Sequence, residues 1–222
     1  SEHLISSVSD GQEKYLYSPA SSGQQFIIGV DVATSGEASS DFSAFVVLEL
    51  VPTEEGYKKV VRHVVHEKGM AITGRKELDT ESENPHMVAV EPGQVDTVVN
   101  LSRTFNDALV IVEKNNVGVA LIQELMKRNV MVDEFITTRN SKDDMIRYLV
   151  SEMKNKNIVI PEEVREIKKL KKELVNFGVK RNKAGKERME ALSGHDDMVM
   201  AFAMANKASQ EFARTSSIIC QN

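Results

Sequence analysis

The stretch FIIGVDVATSGEASSDFSAFVVLEL, residues 26–50, decides the fold of this chain. It begins with FIIGVDV, residues 26–32, a short apolar run rich in β-branched residues that predicts a buried strand. Small polar residues at 33–41 predict a turn, and FSAFVVLEL, residues 42–50, predicts a second strand. After another turn, residues 57–69 predict a third strand. Three consecutive strands joined by tight turns indicate an antiparallel meander.

The rest of the chain alternates predicted helices with predicted strands, after an irregular segment at 70–93. We predict helices at 93–107, 116–129, 141–157 and 162–173, strands at 108–113 and 130–137, a hairpin of 174–179 with 186–191, and a last helix at 193–208. Alternation of this kind is typical of βαβ units and parallel pairing. The prediction is therefore an α/β fold whose mixed sheet has three antiparallel strands followed by parallel β-α units. Helices cover both faces, and a β-hairpin is added.

Length and composition fit one soluble domain with tails. We expect a polar linker or flexible tail at 1–24, the folded domain at 25–210 and a C-terminal tail at 211–222. A single cysteine, Cys220, excludes an internal disulfide framework and a cysteine-rich zinc site. No apolar run approaches the roughly 18 residues that cross a bilayer, so we expect no membrane partner. The N-terminus lacks the basic start and apolar run of a secretory signal.

Charge is unevenly distributed along the chain. The formal net charge is -5, which argues mildly against a nucleic-acid binder. Between 165 and 188, however, ten basic residues face only three glutamates, so this stretch carries about +7. A local basic surface beside acidic residues suits an enzyme that binds metal ions and cuts phosphodiesters.

Four acidic residues are notable because of their surroundings. Asp31 interrupts the apolar strand FIIGVDV, Glu113 ends the strand ALVIVE, and Asp196 and Asp197 open the last helix. A carboxylate in or at the end of a buried strand is costly unless it is paired or binds a cation. Oxygen ligands are those that Mg²⁺ and Mn²⁺ prefer, and two such ions can clamp the attacking and leaving oxygens of a phosphodiester.

Each of these acids also has an ordinary structural explanation. Asp31 could cap the turn that follows it, and Glu113 could pair with Lys114 or with a nearby arginine. Asp196 fits the S-x-x-D capping box that starts at residue 193, and Asp197 could favour the helix dipole. The spacing of these residues leaves both interpretations open.

Two further polar residues are candidates for a supporting role. Asp41 lies in the small-residue turn, where a solvated carboxylate is the common case. His195 precedes the two aspartates, where a structural role is the simpler explanation, although the ring could assist water or phosphate.

The joint pattern resembles a known family. FIIGVDVATSGEASSDFSAFVVLEL is similar to the first nuclease motif of phage terminase large subunits, VIVEKNNVGVALIQELMKR to the second, and SGHDDMVMAFAMA to the third. The motifs occur in the right order over roughly residues 26–208. The resemblance implies a ribonuclease H-like nuclease domain that cuts double-stranded DNA with little sequence specificity during viral genome packaging.

The resemblance also implies the site. Its metal-binding catalytic acids would be Asp31, Glu113 and Asp196, with Asp197 as a neighbour that could share the role of metal ligand. Asp196 is favoured because the family pattern has an acid five residues before the helix alanine, here Ala201. The cofactor would be Mg²⁺ or Mn²⁺, with two ions expected.

The predicted hairpin fits the same family, in which an insertion before the last motif lies near the DNA. Five basic side chains of the hairpin would contact phosphates without reading sequence: Lys180, Arg181, Lys183, Lys186 and Arg188. A solvated hairpin is the alternative. Partners implied by the family are a terminase ATPase domain, the small terminase subunit and the portal, in the host cell cytoplasm. The chain has no G-x-x-x-x-G-K-[ST] loop, so we expect an isolated nuclease domain or an ATPase located elsewhere.

Three other hypotheses compete with this one. Another nuclease of the same fold, such as a Holliday-junction resolvase, would cut branched DNA far better than linear duplex. A phosphate-binding ATPase lobe of the actin/Hsp70 type is suggested by GVDVATSG, but the chain is short and lacks a second glycine-rich phosphate loop. A nuclease-like module retained only for docking is disfavoured by acids in all three motifs.

Overall fold

A computed structural model describes residues 4–9, 12–17, 23–33, 42–54, 56–79, 86–181 and 187–219. The strands are β1 (Leu4–Ser9), β2 (Gln12–Tyr17), β3 (Gln25–Asp31), β4 (Phe42–Thr53), β5 (Gly56–Lys68), β6 (Arg75–Asp79), β7 (His86–Glu91), β8 (Leu109–Glu113), β9 (Val132–Phe135), β10 (Ile158–Val159), β11 (Phe177–Arg181) and β12 (Glu187–Ala191). The helices are α1 (Gln94–Thr104), α2 (Asn116–Lys127), α3 (Arg139–Lys154), α4 (Ile167–Asn176) and α5 (Asp197–Ile219).

The central element is a mixed sheet of six strands in the order β10-β5-β4-β3-β8-β9. β3, β4 and β5 pair antiparallel, whereas β8 pairs parallel to β3 and β9 parallel to β8. The chain reaches β8 from β5 through β6, β7 and α1, and α2 is the crossover between the parallel strands β8 and β9, because parallel neighbours cannot be joined by a tight turn. The predicted antiparallel meander and the parallel β-α units are thus confirmed.

Both faces of the sheet are covered, because side chains alternate along each strand. Ile27 packs in a core made with α3, α4 and α5, and its neighbour Ile28 packs in a second core made with α1 and α2. Apolar runs such as LVIVE in β8 are buried on both sides for this reason. The prediction of helices on both faces is confirmed.

A glycine fixes the distance between the sheet and the last helix. A Cβ built on Gly29 in β3 would lie only 1.9 Å from the backbone oxygen of Ala201 in α5. Only a residue without a side chain permits this contact. α5 therefore lies directly on the centre of β3.

Several predicted boundaries need correction. The segment 70–93 is not irregular, since β6 and β7 pair antiparallel within it; its many charges and Pro85 concealed the strands. β10 was not predicted, α4 begins only at residue 167, and α5 continues beyond 210 to 219. β1 and β2 pair within the segment expected to be a linker. The limits of the domain itself stay a prediction.

The hairpin of β11 and β12 is confirmed, with Lys180 opposite Arg188 in its register. None of the helices in the described part of the chain combines the length and the apolar character that a bilayer span requires.

Candidate active site

Two of the predicted acids lie side by side at one edge of the sheet. β3 and β8 are parallel, and Val30 is the register partner of Val112. The next residues, Asp31 and Glu113, therefore end adjacent strands at the same edge, and both are partly buried. A cleft of about 360 Å³ opens there and is lined by Asp31 together with residues of α2 and α5.

The first turn of α5 reaches the same edge because of the close contact at Gly29. Asp31 lies two residues beyond Gly29, which is about 6.6 Å along a strand. Asp197 lies one helical turn before Ala201, which is about 6 Å along a helix. Strand and helix run in opposite directions here, since Asp31, after Gly29 in the strand, and Asp197, before Ala201 in the helix, line the same cleft. The two steps therefore lead to one place, and Asp197 lines the cleft with Asp31.

The acids share one electrostatic environment. Burial raises the pKa of the Asp31 carboxyl well above its usual value, and the negative charges of Glu113, Asp197 and Asp196 raise it further. Lys142 acts in the opposite direction. Four carboxylates from two strands and a helix thus repel one another at this edge, which is the arrangement that favours binding of a cation.

Lys142, on α3, is the cation that approaches this cluster. Its Nζ lies 3.3 Å from Asp196 Oδ2, and it also lies 5.9 Å from the ring centroid of Phe177 at the start of β11. Lys142 therefore bridges the acidic cluster and the base of the basic hairpin.

Asn115 organises the turn after β8. Its Oδ1 accepts a hydrogen bond of 2.7 Å from the backbone N–H of Gly118, which caps α2. Its Nδ2 lies 3.4 Å from Glu113 Oε2 and donates to it. A Cβ at Gly118 would lie 1.8 Å from the backbone oxygen of Glu113, so the helix starts directly against the strand end. The turn thereby orients the Glu113 carboxylate.

Two buried side chains, His66 and Glu173, lie next to Asp197 on the side of the protein interior. His66 on β5 stacks on Phe42 with ring centroids 4.1 Å apart. Its Nε2 lies 3.8 Å from Glu173 Oε1 and 3.9 Å from Asp197 Oδ2. Burial raises the pKa of Glu173 to about 7, although His66 and hydrogen bonds from the amides of α5 act to lower it.

The remaining predicted residues have different outcomes. His195 lies beside the cluster, with Nδ1 3.6 Å from Asp197 Oδ2 and its ring edge-on to Phe42. Asp41 lies outside the described residues.

The basic hairpin is described only in part. The Lys180 side chain is about half exposed and lies 3.5 Å from Glu190 on the facing strand. Arg181 lies in β11 and Arg188 in β12, and the structure describes the backbone of both residues but not their side chains. Lys183 and Lys186 lie outside the described residues altogether.

The structure thus brings Asp31, Glu113, Asp196 and Asp197 to one edge. Within the described part of the chain, no three His, Cys, Asp or Glu side chains are arranged to hold a metal ion together. Metal binding would therefore require these carboxylates to turn toward a shared point.

Sequence reasoning assigned no role to four nearby residues, namely Lys142, Asn115, His66 and Glu173. Asn115 belongs to the second nuclease motif, VIVEKNNVGVALIQELMKR, so the motif was a signal that could have identified it. Glu173 follows Ile167 and Leu170 at helical spacing, which indicates a buried position. Nothing in the local sequence distinguishes Lys142 or His66.

Comparison with solved structures gives several matches. The large terminase nuclease from thermophilic phage G20c with bound magnesium has a TM-score of 0.64 at 21% identity, over 92% of this chain and 91% of that chain. The large terminase nuclease domain from bacteriophage SPP1 with bound Mn has a TM-score of 0.53 at 13% identity, over 83% and 86%. The bacteriophage HK97 large terminase has a TM-score of 0.55 at 14% identity, over 86% of this chain and 40% of that chain.

No protein-family model matches the sequence, and no curated protein matches it. At these identities the structural likeness shows the fold. The chain has the ribonuclease H-like fold of large terminase nuclease domains, and the resemblance found in the sequence is confirmed at that level.

Proposed function

We propose that this chain is the nuclease domain of a phage large terminase, and that it cleaves double-stranded DNA with little sequence specificity during viral genome packaging. One observation carries the proposal: Asp31 and Glu113 end adjacent parallel strands at the edge of the sheet where Asp197 lines the same cleft. Nuclease structures of the same fold that contain bound magnesium or manganese support it. Fold alone does not imply function, so the proposal depends on this site.

The donor set fits a hard divalent cation. Asp31, Glu113 and Asp196 would be the catalytic ligands, and Asp197 would share in binding. Carboxylate oxygens suit Mg²⁺ or Mn²⁺, and the mutual repulsion of these acids would be relieved by a cation. Two bound ions would supply an activated water and stabilise the leaving oxygen of the phosphodiester.

The protein residues would have distinct tasks in this reaction. Asp31, between Glu113 and the start of α5, would contact both halves of the ligand set. Asn115 would hold the Glu113 carboxylate in orientation through its hydrogen bond. Lys142 would limit the repulsion within the cluster until metal and DNA bind.

DNA would approach along the hairpin. The basic side chains of the hairpin would contact DNA phosphates, and their positive charges would attract the duplex without selecting a sequence. These side chains are Lys180, Arg181, Lys183, Lys186 and Arg188. The expected partners are DNA, the packaging ATPase, the small terminase subunit and the portal, in the host cell cytoplasm.

The test is Mn²⁺-dependent nicking of supercoiled plasmid by the unchanged chain and by Asp31→Asn. This substitution removes the charge and keeps the shape, so the protein should fold while nicking is abolished. Asp133→Asn, at an exposed position of β9, removes the same charge elsewhere and should nick normally. Undiminished nicking by Asp31→Asn would contradict the proposal.

The same preparation distinguishes the competing functions. A four-way junction cut far faster than linear duplex would favour a resolvase. Tight nucleotide binding without cleavage would favour the ATPase lobe, and absence of Mn²⁺ binding would favour a docking module.

A further inference from the structure

The N-terminus of α5 is capped by a residue distant in the sequence. The first amides of a helix lack partners within the helix, and a neighbouring Asp or Ser usually supplies one. Here the N–H groups of Met198 and Val199 donate to Glu173 Oε2, at 3.0 and 3.3 Å. Glu173 belongs to α4, 25 positions earlier than Met198.

This arrangement relieves Asp196 of the N-cap role that its position directly before α5 would give it. An N-cap aspartate would accept a hydrogen bond from the second or third amide of α5. Those two amides are the ones bound by Glu173, and the Asp196 carboxylate instead lies 3.3 Å from Lys142 Nζ. The neighbouring Asp197 carboxylate faces the edge of the sheet, where it raises the pKa of Asp31.

Glu173 is also held firmly in its own place. It is only 9% exposed, on the buried side of α4 that includes Leu170. Its second carboxylate oxygen lies 3.8 Å from His66 Nε2. A buried side chain on a packed helix can fix what it binds, which here is the first turn of α5.

We infer that Glu173 is a positioning residue: by capping α5 from α4, it leaves the carboxylates of Asp196 and Asp197 out of the helix cap and available to divalent cations. The inference rests on the proposed function, since it assigns those two aspartates to the metal site. Residues that orient metal ligands affect affinity without touching the ion, and replacing them typically weakens binding by about 10- to 100-fold.

The test compares Glu173→Ala with Glu173→Gln. Gln keeps an oxygen that can accept both amide hydrogen bonds, whereas Ala removes it. Val175→Ala, on the same helix at a position 81% exposed, is the matched control. Each variant is titrated with Mn²⁺ by calorimetry, and hydrogen exchange is followed in a peptide covering residues 197–203.

We expect Glu173→Ala to exchange faster at the start of α5 and to bind Mn²⁺ at least about tenfold more weakly. Glu173→Gln should stay within about threefold of the unchanged chain, and Val175→Ala should match it. If Glu173 served general stability alone, Glu173→Ala would lower the melting temperature but would leave the Mn²⁺ affinity of the folded protein unchanged. If Glu173→Ala does not fold, Glu173→Asp replaces it, since its shorter side chain withdraws the same oxygen.

Two results would overturn the inference alone. One is Mn²⁺ affinity unchanged in Glu173→Ala while Asp31→Asn loses it. The other is equal loss in Glu173→Gln and Glu173→Ala, which would assign the effect to charge. If the unchanged chain binds no Mn²⁺, or binds it as well after Asp31→Asn, the proposed function fails and the inference with it.

Discussion

The contact between Gly29 and α5 allows a sharp prediction about the substitution Gly29→Ala. The new Cβ would lie 1.9 Å from the backbone oxygen of Ala201 and 2.9 Å from the backbone nitrogen of Ala205. The first separation has to grow by about 1.5 Å to reach an ordinary van der Waals contact. Both neighbours are backbone atoms of one helix, so no side chain can turn away to make room. We therefore expect α5 to move from β3 at the level of the acidic cluster.

Two magnitudes follow from this displacement. Overpacking of a core costs about 1–3 kcal/mol, and in a domain of this size each kcal/mol lowers Tm by about 2–4 °C. The expected fall in Tm is therefore between about 2 and 12 °C. Displacement of a reacting group by about 1 Å can reduce a rate on the order of 100-fold. Because Asp197 moves with α5 while Asp31 stays on β3, nicking should fall by about that factor at a temperature where the variant is folded.

The assay pairs calorimetric melting with Mn²⁺-dependent nicking at 25 °C. Gly178→Ala serves as the stability control, because its Cβ would meet only the half-exposed Leu192 side chain, at 3.0 Å. Its Tm should change little. If Gly29→Ala melts within about 1 °C of the unchanged chain and nicks at the same rate, the geometric argument for the site is wrong.

Two further outcomes are expected. Burial lowers the pKa of the His63 ring to about 4, and the charge of Arg165 lowers it too. As the pH falls, the unfolded chain therefore protonates at this histidine first, near pH 6.5. The free energy of unfolding should be constant in this respect above pH 6.5 and should decline by up to about 3 kcal/mol toward pH 4. Urea denaturation between pH 4 and 6.5 should show a weaker pH dependence of the free energy of unfolding in His63→Leu than in the unchanged chain, and an equal pH dependence in the two proteins would refute the role of His63. Asn115→Ala removes the α2 cap and the donor to Glu113, so we expect about 1 kcal/mol lower stability and Mn²⁺ binding weaker by about 10-fold or more. Calorimetry tests both effects, and retained affinity would show that Glu113 needs no such support.

Much of the architecture could be predicted from the sequence because its signals are local. Alternating and helical apolar patterns are readable within one segment, and they predicted the antiparallel meander, the parallel units and the hairpin. The pattern failed where charge hid it, as in β6 and β7, and where an element was very short, as in β10. Asp31 and Glu113 were identified for the same local reason, since each is a carboxylate at the end of an apolar strand.

The sequence by itself determined the antiparallel meander, the strands β8 and β9, the hairpin and the five helices, and which acids stand at the ends of these elements. Only the tertiary structure decided that Glu173 caps α5, that His66 lies behind Asp197, and that Lys142 approaches Asp196. These contacts join residues that are distant along the chain, and they depend on the packing of α3, α4 and α5 on one face of the sheet. No periodic pattern encodes the distance between two packed elements; here the missing side chain of Gly29 sets it.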